Sequence, residues 1–170
     1  MNYYNEIKNE LLNNKINRKV KNYSINKNDL ITYYNVGKIL NEAGKQYGEN
    51  IIKDYSIRLT NELGKGYTQS RLRYYRRFYY VFSKCPTLSD KLSFSHYCEI
   101  IWNDDFDKIN YYIKITINQN LSVRQLREKI KLNEYERLDE DSINRIINNE
   151  DYDITTINIR RYRIVYAWTR

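Results

Sequence analysis

Arginines and aromatic residues crowd the segment 64–82, GKGYTQSRLRYYRRFYYVF, which holds four arginines, one lysine and no acidic residue. Arginine, glutamine and serine side chains donate hydrogen bonds to the edges of bases, and lysine and arginine bind phosphate groups. These residue types predict contact with nucleic acid. The candidate base-reading residues are Gln69, Ser70 and Arg73. The candidate phosphate-binding residues are Lys65, Arg76 and Arg77.

On a helix that turns by about 100° per residue, this segment has two opposite faces. The apolar face holds Leu72, Tyr75, Phe78, Tyr79 and Phe82. The opposite face holds Arg73, Arg77 and Tyr80, with Gln69 and Ser70 beside it and Arg76 at the border. We predict that the aromatic face packs into the core and that the arginine face contacts solvent.

The elements around this helix favour a helix-turn-helix. A helix predicted over 49–63 ends at the glycine-containing turn 64–66, and Thr68 is placed to cap the helix that follows. In a DNA-binding helix-turn-helix, the first residues of the second helix reach base edges in the major groove. The same turn also occurs in helix pairs that bind no DNA, and the arginine face could instead pair with the acidic residues of 134–153.

The other reactive residues form no catalytic or metal-binding pattern. His96 is the single histidine, and a zinc site needs several ligands, so we predict a structural or hydrogen-bonding role for it. Cys85 and Cys98 predict free thiols rather than a disulfide framework. The run Gly64-Lys65-Gly66 lacks the spacing of a phosphate-binding loop. We therefore expect no catalytic residue, no cofactor and no metal.

The composition is that of a folded, basic protein. The chain has 170 residues, a net charge of +8 and a pI of about 9.3. This charge favours a polyanionic partner, with nucleic acid ahead of an anionic membrane surface. The sequence contains neither a transmembrane run nor the apolar stretch of a signal peptide. We expect a cytoplasmic protein without a membrane partner.

Helical periodicity covers most of the chain, so an all-α fold is predicted. Seven helices are expected, over 3–22, 26–44, 49–63, 68–82, 93–102, 105–118 and 122–132. In the first of them, Ile7, Leu11, Leu12 and Ile16 are expected on one apolar side. Asn26, Thr68, Ser93 and Ser122 are the expected first caps, with Gln125 completing a capping box at Ser122.

The composition changes after Leu132. Residues 134–153 hold eight acids and two arginines, which predicts a linker or a solvated helix. Residues 154–170 combine four arginines with β-favouring apolar residues. This tail predicts either a strand that needs a partner or a disordered end, and it could mediate homo-oligomerisation or contact with a partner protein.

Four blocks of the chain resemble a known family in the family's own order. They are LITYYNVGKIL, YGENIIKDYSIRLTNELGKGYTQSRLRYYRRFY, LSFSHYCEII and NYYIKITINQNLSVRQLREKI. Residues 28–137 are thereby similar to the N-terminal domain of YhcG-type proteins. The resemblance implies a compact, multi-helix, winged-helix-like domain suspected of binding DNA, which precedes a predicted nuclease domain of the PD-(D/E)XK type in longer relatives.

This chain departs from that pattern where the nuclease would be. Such a nuclease needs carboxylates followed by a Glu-x-Lys run to hold a metal and activate water. The one Glu-x-Lys run here is Glu6-Ile7-Lys8, on the first predicted helix. We therefore expect a helical DNA-binding domain over 1–137 and a linker and tail over 138–170. Such a chain would be non-enzymatic, and either truncated or naturally short. The alternative is an assembly domain that docks a partner subunit or a separate nuclease.

Overall fold

The structure is a computed structural model that describes residues 2–18, 25–48, 50–84, 87–148 and 156–158. It divides into two compact units, Met1–Lys84 and Cys85–Arg170. The helices of the first unit are α1 Tyr3–Asn17, α2 Ile25–Tyr47, α3 Ile51–Leu63 and α4 Gln69–Phe82. The second unit contains β1 Thr87–Ser89, α5 Phe94–Ile100, α6 Phe106–Asn118, α7 Val123–Lys131, a 3₁₀ turn Tyr135–Arg137, α8 Glu140–Ile147 and β2 Thr156–Asn158. The predicted all-α class is confirmed, with one short strand pair added.

The packing of α2 on α4 forms the centre of the first unit. A methyl group on Gly37 of α2 would lie 2.0 Å from the carbonyl oxygen of Tyr75 on α4, so only glycine permits this approach of the two backbones. The rings of Tyr33 and Tyr75 stack with centroids 4.4 Å apart. Tyr34 contacts Tyr79 edge to face. Aromatic surface buried in this way is the main stabilising contribution of such a core.

The first helix packs on α2 through a mixed apolar and polar seam. Ile7 and Leu11 are buried as predicted, but Ile16 is 61% exposed. Asn14 is buried instead and donates a hydrogen bond to Asp29 on α2. The helix ends at Asn17 rather than at residue 22. The apolar stripe therefore stops one turn before the sequence pattern predicted.

The boundaries of the next helices follow local signals. Helix α2 already begins at Ile25, so the prediction that Asn26 caps it is wrong. Helix α3 ends at Gly64, which has a φ of 94°, and Gly66 has a φ of 117°. Such angles are unfavourable for residues with a Cβ atom. The two glycines thus allow the chain to turn sharply between α3 and α4.

Side-chain caps begin helices α5, α6 and α7 of the second unit. Ser93 and His96 form a capping box at α5, and Ser122 and Gln125 form one at α7, as predicted for the latter pair. At α6, the Asp105 side chain accepts hydrogen bonds from two backbone N–H groups of the first turn. These caps satisfy backbone donors that have no partner inside a helix.

Part of the acidic stretch is folded into the second unit. The carboxylate of Glu134 accepts hydrogen bonds from the Tyr111 hydroxyl and from Lys129, and Glu136 pairs with Lys108. Helix α8 occupies Glu140–Ile147. Residues 134–147 are therefore an ordered part of the unit rather than an extended linker.

The start of the tail forms a strand. Thr156–Asn158 pairs antiparallel with Thr87–Ser89 of the same chain, with Leu88 opposite Ile157. The Tyr97 hydroxyl also accepts from the Ser89 N–H and donates to the Ser89 carbonyl, both at 2.8 Å. The expectation of a strand with a partner is met within the chain at these residues. Residues 159–170 lie outside the described residues, as does Cys85.

Candidate nucleic-acid interface

Helix α4 has the two faces that its sequence predicts. Its buried residues are Leu72, Tyr75, Phe78, Val81 and Phe82. Val81 was not part of the predicted stripe, and Tyr79 is half-buried rather than fully buried. Because the buried face of α4 packs against α2, the opposite face of α4 points away from the core.

The predicted binding residues divide into an exposed and a half-buried group. Lys65, Ser70 and Arg73 are exposed, whereas Gln69, Arg76 and Arg77 are half-buried. Arg76 extends toward α2, since a methyl group on Gly44 would lie 3.3 Å from its guanidinium nitrogen. Gln69, Arg73 and Arg77 are spaced by four residues and therefore share one side of α4.

The beginning of α4 is positioned by its cap and by α1. The Thr68 side chain accepts from the Arg71 N–H at 3.3 Å, which confirms the predicted cap. Lys15 of α1 donates to the carbonyl of Leu63 at 2.6 Å and lies 5.4 Å from the Tyr67 ring centroid. A cation here stabilises the last turn of α3. Lys15 therefore adds positive charge beside the turn between α3 and α4. Because Lys15 and Leu63 are 48 residues apart in the sequence, the sequence pattern did not indicate this role.

One arginine of the segment has a structural role. The Arg71 Nε atom donates to the Tyr75 hydroxyl at 2.8 Å, and its guanidinium lies 5.8 Å from the Tyr33 ring centroid. Burial raises the pKa of Tyr75, so its phenol is neutral at ordinary pH and accepts this hydrogen bond. Arg71 therefore stabilises the stacked tyrosine pair between α2 and α4.

Near the C-terminal end of α4, two cations contact one tyrosine. Lys84 donates to the Tyr80 hydroxyl at 2.6 Å and lies 3.9 Å from its ring centroid. The Arg77 guanidinium lies 5.3 Å from the same centroid. Tyr80 is 45% exposed, and Lys84 is exposed. Tyr80 therefore lies on the polar face predicted for it, and its two cationic partners were not predicted from the sequence.

His96 has the hydrogen-bonding role predicted for it. Its Nδ1 atom accepts from the Ser93 N–H at 3.2 Å and lies 2.9 Å from the Ser93 hydroxyl, while Nε2 lies 3.1 Å from the Leu121 carbonyl. This geometry assigns the proton to Nε2. Burial lowers the pKa of His96, and the hydrogen bond to Leu121 opposes that change. The ring thereby connects the starts of α5 and α7.

Among the described residues, no helix has the length and apolar character needed to cross a membrane. Within the same residues, no group of three or more His, Cys, Asp or Glu side chains is arranged to hold a metal ion.

The sequence comparison identifies the family. A family model described as the DUF1016 N-terminal domain matches residues 6–137. The chain belongs to this family, which is the YhcG N-terminal family that the sequence blocks resemble. Searches of curated proteins and of solved structures give no significant match.

Proposed function

We propose that this chain is a DNA-binding domain in which α4 contacts duplex DNA. The observation that carries this proposal is the two-sided character of α4. Its aromatic face is buried, and its opposite side carries Gln69, Ser70, Arg73 and Arg77. These are side chains that bind base edges and phosphates.

We further propose that α3 and α4 act as a helix-turn-helix, with a winged-helix-like arrangement as the wider fold. The supporting observations concern the turn between α3 and α4 and the residues next to it. A turn with two positive-φ glycines joins α3 to α4, Thr68 caps α4, and Lys15 adds charge at the turn. The residues that follow the cap, Gln69 and Ser70, then occupy the positions from which a second helix reads bases.

We also propose that this chain binds DNA without cutting it. The one Glu-x-Lys run lies on α1, and its lysine, Lys8, forms an ion pair with Glu62 at 2.5 Å. In a nuclease of the expected type, the Glu-x-Lys run would instead act with carboxylates to hold a metal and activate water. This arrangement supports a structural role for Glu6 and Lys8, and metal-dependent nicking of plasmid DNA by the pure chain would contradict it.

The test of DNA binding is a salt series. The affinity for a fluorescently labelled random duplex is measured by anisotropy between about 50 and about 200 mM salt. Phosphate contacts release counterions, so the logarithm of the affinity should fall linearly with the logarithm of the salt concentration. Absence of binding at the lowest salt would refute the proposal. Binding that does not depend on salt would instead support an apolar assembly domain.

A further inference from the structure

Tyr80, Arg77 and Lys84 form a cluster at the C-terminal end of α4, which we name the end cluster. Side chains on a helix lean toward its N-terminus. Tyr80 therefore leans back toward Arg77, and Lys84, just beyond the helix, reaches back over the Tyr80 ring. The observed contacts agree with these side-chain directions, because the Arg77 guanidinium and the Lys84 ammonium group both lie within 5.3 Å of the Tyr80 ring centroid.

The end cluster is built from hydrogen-bond donors. A lysine ammonium carries three donor hydrogens and an arginine guanidinium five. The Tyr80 oxygen accepts from Lys84, which orients the phenol beside the ammonium group. Two cations and a phenol, two of the three side chains exposed, have the chemistry that binds a phosphate diester. Stacking of unpaired bases would instead need an aromatic face that no cation covers.

The length of α4 places this cluster beyond the base-reading residues. The helix has 14 residues and is therefore about 21 Å long. The major groove of B-form DNA is about 8.5 Å deep. If α4 enters the groove with its first turn toward the bases, Tyr80 lies about 16 Å farther along the helix axis, outside the groove and at the level of the sugar–phosphate backbone.

We infer that the end cluster of Arg77, Tyr80 and Lys84 is a backbone-phosphate site that fixes the register of α4 on duplex DNA. This inference rests on the proposed DNA binding and adds Tyr80 and Lys84 to the interface. The cluster contributes affinity that is independent of base sequence, whereas Gln69, Ser70 and Arg73 determine base preference.

The experiment compares four single variants with the wild-type chain over the same salt series: Lys84→Gln, Tyr80→Phe, a lysine control and Arg73→Ala. Lys84→Gln removes one phosphate contact, so the slope of log affinity against log salt should become shallower by about 0.9, and affinity at about 0.1 M salt should fall about eightfold. Tyr80→Phe keeps the ring but removes a neutral donor, so affinity should fall with little change in slope. Lys38→Gln, an exposed lysine on α2, controls for net charge and should change neither quantity.

The outcomes separate this inference from the proposal on which it rests. A Lys84→Gln chain with the wild-type slope and affinity, while Arg73→Ala weakens binding, would overturn the end cluster and leave the proposed function intact. A wild-type chain that binds no DNA would overturn both. Equal losses for two duplexes of unrelated sequence would support a phosphate site, and a loss confined to one sequence would contradict it. Circular dichroism establishes that each variant is folded.

Discussion

Gly37 on α2 and Tyr75 on α4 approach so closely that a methyl group on Gly37 would lie 2.0 Å from the Tyr75 carbonyl oxygen. The position of α4, and with it the direction of its arginine face, depends on this contact. Any side chain at residue 37 would have to move the backbone of α4.

The first prediction is that Gly37→Ala is destabilising. Alanine is favoured over glycine in a helix by roughly 0.5–1 kcal/mol, but forced overpacking costs about 1–3 kcal/mol or more. The clash is with backbone, so the cost should exceed the gain. Urea unfolding measures the difference. Gly44→Ala is the matched control, since its methyl group would meet only the flexible end of Arg76 at 3.3 Å, and it should be neutral or stabilising.

The second prediction concerns the core face of α4. Phe78 is fully buried and contacts Phe82 with ring centroids 4.9 Å apart. Phe78→Ala should lower the free energy of unfolding by about 3–5 kcal/mol, because it leaves a cavity. Arg73→Ala on the exposed face should change it by less than about 0.5 kcal/mol. Equal melting temperatures for the Phe78 variant and the wild type would mean that the two faces of α4 are assigned the wrong way round.

Helix α4 was the element whose structure could be predicted best from the sequence. A strong 3.6-residue periodicity determines which side of a helix is buried, and glycines, Thr68 and Ser122 mark helix ends through local hydrogen bonds. The same reasoning failed at Ile16, which is exposed, and at Asn14, which is buried. There, a partner on another helix, Asp29, decides which side packs, and no local pattern contains that information.

Contacts between residues distant in sequence account for most of the other differences. His96 was predicted to form hydrogen bonds, but its partner Leu121 was not identifiable. Lys15 reaches the carbonyl of Leu63 across 48 residues. The pairing of Thr156–Asn158 with Thr87–Ser89 joins segments even farther apart. Composition predicted a strand in the tail, but it could not identify the segment with which that strand pairs.

The third prediction concerns the pH dependence of stability. Because the pKa of His96 is lowered in the folded chain, the unfolded chain binds more protons near the ordinary histidine pKa of about 6.5. Stability from this group is therefore fully present well above that pH, and it should decline as the pH falls through about 6.5 toward the lower pKa of the folded chain. Protonation of Nδ1 also removes the acceptor used by the Ser93 N–H.

His96→Gln tests this directly. Glutamine occupies the equivalent position of the capping box at α7, as Gln125, and it does not titrate. Thermal unfolding followed across this pH range should show a smaller decline for the variant than for the wild type. Parallel pH profiles for the two chains would show that the His96 ring does not control the decline.

The fourth prediction concerns the tail. Deleting residues 154–170 removes β2 and leaves one edge of β1 with unpaired backbone groups, which promotes association with other chains. We expect a larger particle mass by light scattering, or lower solubility, with the helical circular dichroism signal retained. A chain truncated after Asn158 keeps the strand pair and is the control. The same mass and solubility for all three chains would show that this pairing does not limit association.

The central claim, that the exposed side of α4 binds DNA, is tested most directly by the Arg73→Ala/Arg77→Ala double variant. Its affinity for a random duplex at moderate salt is measured beside the wild type and beside a Lys38→Ala/Lys45→Ala control, which removes equal charge from two exposed positions of α2. We predict that the arginine variant binds about tenfold more weakly or worse, with unchanged circular dichroism, while the control binds nearly as the wild type. Wild-type affinity in a folded arginine variant would contradict the claim.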